Sequence, residues 1–256
     1  MTANPTILAL DFDGVICDGL REYFQTAWKA YSQIWQDATP RQDLAPQFYR
    51  LRPVVETGWE MPVLIRALVL GVEETEILQN WATIAIQITT RDHVEALQIS
   101  RLVDDIRDRQ IASDLEGWLS EHRFYPGVLQ RLAEVLDSPI QTVIISTKEG
   151  RFIQQLLRQQ GIQLTDDQVY GKEVKCPKSQ ILRELTEKNG NVPIWFIEDR
   201  LKTLQGIEHY ADLENVTLFL ADWGYNTDRD RQSIQENDRI HLLSLQQFSQ
   251  AFSTWQ

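Results

Sequence analysis

An apolar run, Ile7 to Leu10, stops abruptly at two acidic residues one position apart, Asp11 and Asp13, and then at Gly14. The run has the length and character of a strand, and a glycine there permits the tight turn that carries a chain off the end of a sheet. If the backbone stays near extended through 11–13, alternate residues point the same way and both carboxylates face one side. One can attack while the other handles protons. An aspartate that attacks a phosphoryl group forms an aspartyl-phosphate, which divides hydrolysis into two easier displacements. The second acid can protonate the leaving oxygen in the first displacement and deprotonate water in the second. Both steps carry heavy negative charge on the transferring group, so a hard cation, usually Mg²⁺, is expected with them. The bland alternative is an ordinary turn after a buried strand.

Three further segments bear on that choice. Residues 141–148, QTVIISTK, form a β-branched run ending in Ser146 and Thr147, where a hydroxyl could donate to a phosphate oxygen. Ser146 would equally serve as the N-cap of a helix expected over 149–160. The run PIWFI, 193–197, ends in Glu198 and Asp199, which could hold a metal or cap a helix starting near Arg200. Between these lies VKCPKSQILREL, where Pro177 and Lys178 open an amphipathic helix with Ile181, Leu182 and Leu185 on one face. A lysine there could neutralise a phosphate or a nucleophile.

Taken in order, DFDGV, VIIST, a lysine of KCPK, and FIED resemble the four motifs of the haloacid dehalogenase superfamily, chiefly its phosphatase members. The resemblance implies that Asp11 is the nucleophile, Asp13 the general acid and base, and Ser146 the hydroxyl donor. It implies a Mg²⁺ site of Asp11, the Asp13 carbonyl and Asp199, with Glu198 as a direct or water-mediated ligand. Two lysines compete for the third motif: Lys175 at a helix start of Lys-Pro type, broken here by Cys176, and Lys178, spaced four residues from Leu182; Lys178 is favoured. Dehalogenating members lack an acid two residues after the nucleophile, so Asp13 marks this chain as a phosphoryl-transfer enzyme of the resemblance. A phosphomutase would use the same residues and is the second reading; a non-catalytic regulatory protein on the same fold is the third.

With 256 residues the chain could form one large or two smaller domains. The stretch from Asp13 to Thr142 far exceeds what a βαβ crossover needs, so an additional domain is expected within it. After Thr142 short strands and helices alternate, the pattern of a doubly wound parallel sheet. Residues 1–19 and 121–256 are therefore assigned to an α/β, Rossmann-like core and residues 20–120 to an inserted α-helical domain. Apolar residues recur at helical spacing over 20–36, 60–70, 74–88, 92–110 and 112–121, for example Val94, Leu97, Ile99, Leu102 and Ile106. The insertion resembles the helical cap of superfamily members, which excludes water and supplies substrate contacts. Within it, Pro53, Gly58 and three arginines interrupt helical sequence, and Arg52 is the candidate for clamping a second anionic group of the substrate. The backbone N–H of Thr147 is a candidate for a further phosphate contact.

The formal net charge of −12, from 37 acidic and 25 basic residues, argues against nucleic acid as a partner, since that would need a basic stripe. The expected partner is a small phosphorylated metabolite, which local cations must attract against the overall field. Two cysteines, Cys17 and Cys176, are too few for a disulfide framework, and the four histidines have no metal-ligand spacing. The first residues lack a basic segment followed by an apolar one, and no apolar run approaches a membrane span, so a soluble, cytoplasmic protein without membrane contact is expected. The eight tryptophans are dispersed and are expected to anchor cores.

Overall fold

A computed structural model describes residues 4–255, apart from residues 38 and 40. The chain divides into two compact units: a core that ends at Asp18 and resumes at Phe124, and an insert, Gly19–Arg123. In chain order come β1 (Ile7–Leu10) and β2 (Cys17–Asp18). The insert's helices α1 (Leu20–Ile34), α2 (Ala45–Leu51), α3 (Glu60–Val69), α4 (Glu74–Arg91), α5 (Ala96–Ser113) and α6 (Leu115–Ser120) follow. The return passes β3 (Arg123–Phe124), α7 (Val128–Leu136), β4 (Gln141–Ile145), α8 (Gly150–Gln159), β5 (Val169–Tyr170) and α9 (Lys178–Asn189). The chain closes with β6 (Ile194–Glu198), α10 (Leu201–Glu208), β7 (Val216–Ala221), α11 (Asp228–Ser233), β8 (Ile240–Leu243) and α12 (Leu245–Phe248).

The core sheet has the order β5-β4-β1-β6-β7-β8, with every pair parallel. The inner strands β1 and β6 are buried along their whole length, as strands of a parallel sheet covered by helices on both faces are, whereas the edge strand β8 leaves Leu242 exposed. On one face Ile7, Ala9, Val143, Ile145, Phe196 and Leu218 pack with Leu182 and Leu185 of α9 and Leu204 of α10. The intervening residues belong to the opposite face, where Trp195 meets Phe219 at 5.0 Å between ring centroids and Trp255 at 5.5 Å. Trp255 also lies 5.0 Å from Phe252 and 5.3 Å from Phe248, so the chain's last turns close that face. Each such aromatic pair adds about 0.5–1.5 kcal/mol beyond area burial.

Register fixes where chemistry can occur. Leu10 is level with Ile144 on one side and with Ile197 on the other, so β1, β4 and β6 end together. Successive strands move outward from β1 through β4 to β5 and then, on the other side, through β6 to β8, so the order reverses at β1. In open parallel sheets ligands bind beyond the carboxyl ends of strands at such a reversal.

Among the described residues, the regular elements between β2 and β3 are helices. The buried face of α5 is Ile99, Val103 and Ile106, which keeps Ile99 and Ile106 of the expected stripe, whereas Leu97 is exposed and Val94 precedes the helix. Spacings of four and three keep the buried triplet on one side of a 3.6-residue turn, whereas Leu97 falls outside that arc. α4 is bent at Asn80, whose φ of −130° is not helical, and α2 forms outside the segments where apolar spacing predicts helices. Inside the insert Glu22 is 2% exposed. It accepts from Arg107 Nε at 2.9 Å and Thr26 Oγ1 at 2.8 Å. No helix among the described residues is long and apolar enough to cross a membrane.

Candidate active site

Asp11 is the first residue beyond β1. Its N–H donates to Ile197 O at 2.9 Å, which extends the β1–β6 ladder by one position, and its Oδ1 accepts from Phe12 N–H at 2.7 Å. Immediately afterwards the chain turns back: Ile16 and Cys17 N–H both bond Phe12 O at 2.9 Å, and Gly14 N–H bonds Cys17 O at 2.8 Å with φ +87°. That positive φ is the reason a glycine stands there.

Lys178 is the first residue of α9, after the Pro177 N-cap. Its Nζ lies 2.8 Å from Asp11 Oδ2 and 2.6 Å from Glu198 Oε2. Lys175 is exposed, with φ +53° in the turn before α9, so of the two candidate lysines only Lys178 meets the acids. Glu198 closes β6 and its Oε1 accepts the Arg200 N–H at 3.0 Å. Neither it nor Asp199 is the cap of α10, whose N-cap is Arg200.

Asp11, Glu198 and Asp199 are buried, at 7%, 1% and 1% exposed, and one carboxylate oxygen from each lies within 4.8 Å of the others. Three carboxylates beside one ammonium leave surplus negative charge in a nearly dry site. Burial accordingly drives Asp11 up to about 7 against the pull of Lys178, with Glu198 and Asp13 adding to the rise. Asp199 is pushed up to about 6 by burial and by Asp11, while its bond from Tyr225 N–H holds it back. Burial raises Glu198 too, against Lys178. Lys178 is raised despite burial by the charges of Asp11 and Glu198. An all-oxygen donor set with excess charge suits a hard divalent cation.

Asp199 is held by two neighbouring residues. Its Oδ2 accepts Tyr225 N–H at 2.8 Å, its carbonyl accepts Asn226 Nδ2 at 3.0 Å, and Asn226 also reaches Ala221 O at 2.7 Å. Arg231 Nη1 in turn donates to Asn226 Oδ1 at 2.7 Å. Tyr225 and Asn226 look like turn residues in sequence, yet they anchor the acid. The anchor also reaches the chain's exit from the core, because Tyr225 OH donates to Asp18 Oδ1 at 3.0 Å. Side chains have no room on either flank. A Cβ at Gly14 would run into the Asp199 carboxylate, and one at Gly224 would meet Asp199 Cβ and stand 2.6 Å from Gly14 O.

Ser146 follows β4, one position past the level of Asp11, and is buried. It is not the N-cap of α8, which is Glu149; its Oγ accepts the Lys148 N–H at 3.3 Å. Thr147 is exposed. Asp13 does not join the acidic triad through its carboxylate, which is bound by Lys148 Nζ at 3.1 and 3.2 Å. Lys148 was missed in sequence, although a lysine two residues beyond Ser146 in a strand-end loop was the available signal. Arg52 belongs to the insert, where Nη1 donates to Val55 O at 2.9 Å and the guanidinium lies 5.0 Å from the centre of the Tyr23 ring.

No protein-family model matches the sequence, and no curated protein does either. Solved structures do. A phosphatase described as predicted, from Clostridium acetobutylicum, is 17% identical, with 96% of this chain and 97% of that one covered at a TM-score of 0.57. A haloacid dehalogenase-like family hydrolase from Streptococcus pneumoniae is 15% identical, with 94% of each chain covered and a TM-score of 0.53. A predicted phosphoglycolate phosphatase from Haemophilus somnus is 13% identical, covering 89% of this chain and 90% of that one at 0.54. These structures share their fold with this chain: it has the haloacid dehalogenase-like fold.

Proposed function

We propose that this chain is a Mg²⁺-dependent phosphatase that hydrolyses a small phosphorylated metabolite through an aspartyl-phosphate on Asp11. The observation that carries the reading is Asp11 itself: a buried carboxylate at the end of the central strand, facing Lys178 and sharing a cluster with Glu198 and Asp199. Asp11 Oδ2 attacks phosphorus as the ester P–O bond breaks, and Asp13 supplies the proton taken by the leaving oxygen. Water then gives a proton to Asp13 and attacks phosphorus, which releases phosphate and restores Asp11. Ser146 and Lys178 donate to the phosphoryl oxygens, Thr147 N–H adds a contact, and Arg52 takes a second anionic group of the substrate. Asp11, Asp199, Glu198 and the Asp13 carbonyl would hold Mg²⁺, which offsets negative charge on the carboxylates and the transferring group.

The similarity to structures described as phosphatases supports the reading, and phosphoglycolate belongs in the first substrate panel for the same reason. The test is phosphate release from phosphorylated metabolites and one aryl phosphate, in Mg²⁺ and in EDTA, for wild type, Asp11→Asn and Asp13→Asn. Metal-dependent release in the wild type, abolished in Asp11→Asn and reduced most on alkyl esters in Asp13→Asn, is the expected result. Release that survives in Asp11→Asn would overturn the nucleophile assignment.

A further inference from the structure

The loop after β4 is braced on several sides. Ser146 N–H donates to Tyr170 O at 2.9 Å, Lys172 N–H to Lys148 O at 2.9 Å, and Gly150 N–H to Glu173 Oε2 at 3.0 Å. The bonds from β5 and the turn after it fix the backbone of Lys148, and its side chain, 9% exposed, crosses to the loop after β1. There it meets both oxygens of Asp13 almost equally, at 3.1 and 3.2 Å. Among the described residues no other side chain is bonded to that carboxylate. The peptide of Asp13 is held by the Gly14 turn, but its carboxyl group can still rotate about two side-chain bonds. A cation centred between the two oxygens removes that freedom and fixes the plane of the group.

We infer that Lys148 is a positioning residue for proton transfer, orienting the Asp13 carboxylate toward the oxygen that leaves phosphorus. The inference rests on the phosphatase reading. It follows from that role that Lys148 matters in proportion to how much the leaving group needs a proton. An alkoxide is a poor leaving group and must be protonated as the P–O bond breaks, whereas 4-nitrophenolate departs without help. A positioned general acid contributes about 10²–10⁴-fold where it is needed. The same three-residue loop thus serves two purposes: Ser146, whose Oγ accepts from Lys148 N–H, has its own proton left for a phosphoryl oxygen, while Lys148 reaches the acid.

The test compares kcat/KM, which reads the step that cleaves the ester, for 4-nitrophenyl phosphate, phenyl phosphate and the best alkyl phosphate of the panel, in wild type, Lys148→Met, Lys148→Arg and Asp13→Asn. The alkyl-to-nitrophenyl ratio of kcat/KM within one preparation is independent of how much protein is folded, so a poorly folding variant still reports. In Lys148→Met this ratio is expected to fall by about 100-fold, following Asp13→Asn. Lys148→Arg is expected to recover part of it, and the Lys148→Met, Asp13→Asn double variant to lose nothing further. Equal losses on all three esters, or a rise in KM with the ratio unchanged, would overturn the inference and leave the phosphatase reading standing. A wild type that releases no phosphate from any ester would overturn both.

Discussion

Lys178 Nζ stands 2.8 Å from Asp11 Oδ2, so the proposed nucleophile and a buried ammonium are direct neighbours before any phosphate arrives. The same ammonium contacts Glu198 at 2.6 Å. Lys178→Met would leave the buried carboxylates of Asp11 and Glu198 without the ammonium that bonds them. Loss of one buried partner costs about 3–5 kcal/mol, and loss of a donor to the developing charge about 100-fold in kcat. Urea unfolding in EDTA should show the first and phosphate release the second. Mg²⁺ should restore part of the stability of this variant, because it supplies positive charge to the same oxygens.

The raised carboxylates give a pH dependence of definite sign. Asp11 at about 7 and Asp199 at about 6 both stand above the ordinary 3.8. Between these values the folded chain therefore holds more protons than the unfolded one. Their contribution to stability is present at about pH 4 and is lost as the pH rises toward about 7. Mg²⁺ must displace the same protons, so its affinity should rise with pH from 5.5 to 7.5 as roughly one proton or more is released on binding. Calorimetric titration in two buffers of different ionisation enthalpy reads both quantities. An affinity that does not change over this range would contradict the assignment of Asp11 and Asp199 to the cation.

Glycines separate by position. Gly224→Ala puts a methyl group against Asp199 and the Gly14 carbonyl, so metal-dependent activity and the rise of Tm on adding Mg²⁺ should both disappear. Gly14→Ala should do the same with added backbone strain from its φ of +87°. Gly161 also has positive φ, +79°, but nothing lies within 4 Å of its would-be Cβ. Gly161→Ala should cost only about 1 kcal/mol of stability and leave kcat unchanged.

The insert has its own buried ion pair. Arg107→Met removes the guanidinium that bonds Glu22, which is 2% exposed. A loss of about 3–5 kcal/mol in urea unfolding is expected. Adding Glu22→Gln should recover part of it, since a neutral amide keeps an acceptor for Thr26 without a charge to bury.

The strands were the most legible part of the chain. Ile7–Leu10 stands where its apolar run stands, β4 lies within 141–148, and β6 is displaced by one residue from the run 193–197, because a strand covered on both faces is apolar along its buried length. β5, with only Val169 and Tyr170, was too short to give a period. In the insert, helices were legible but their buried faces less so, as Leu97 and Val94 illustrate: several apolar residues on one helix admit more than one stripe. At the site, residues that end strands were visible because polarity changes sharply there. Lys148, Tyr225 and Asn226 were not, since their work is done by one long side chain or by amides that look the same in any turn.

Residues 19–123 stand between β1 and β4, its partner at the centre of the sheet. During synthesis β1 therefore emerges long before either neighbour, an apolar segment with no strand to join. The entropy of closing so large a loop grows only logarithmically, so the delay weighs on folding rate more than on final stability. Asp11 precedes the insert, whereas Lys178, Glu198 and Asp199 follow it, so these four groups can meet only when the core is complete. Cation binding would then act as a late seal on folding, and a chain stalled before β6 would expose an unpaired edge to neighbouring chains.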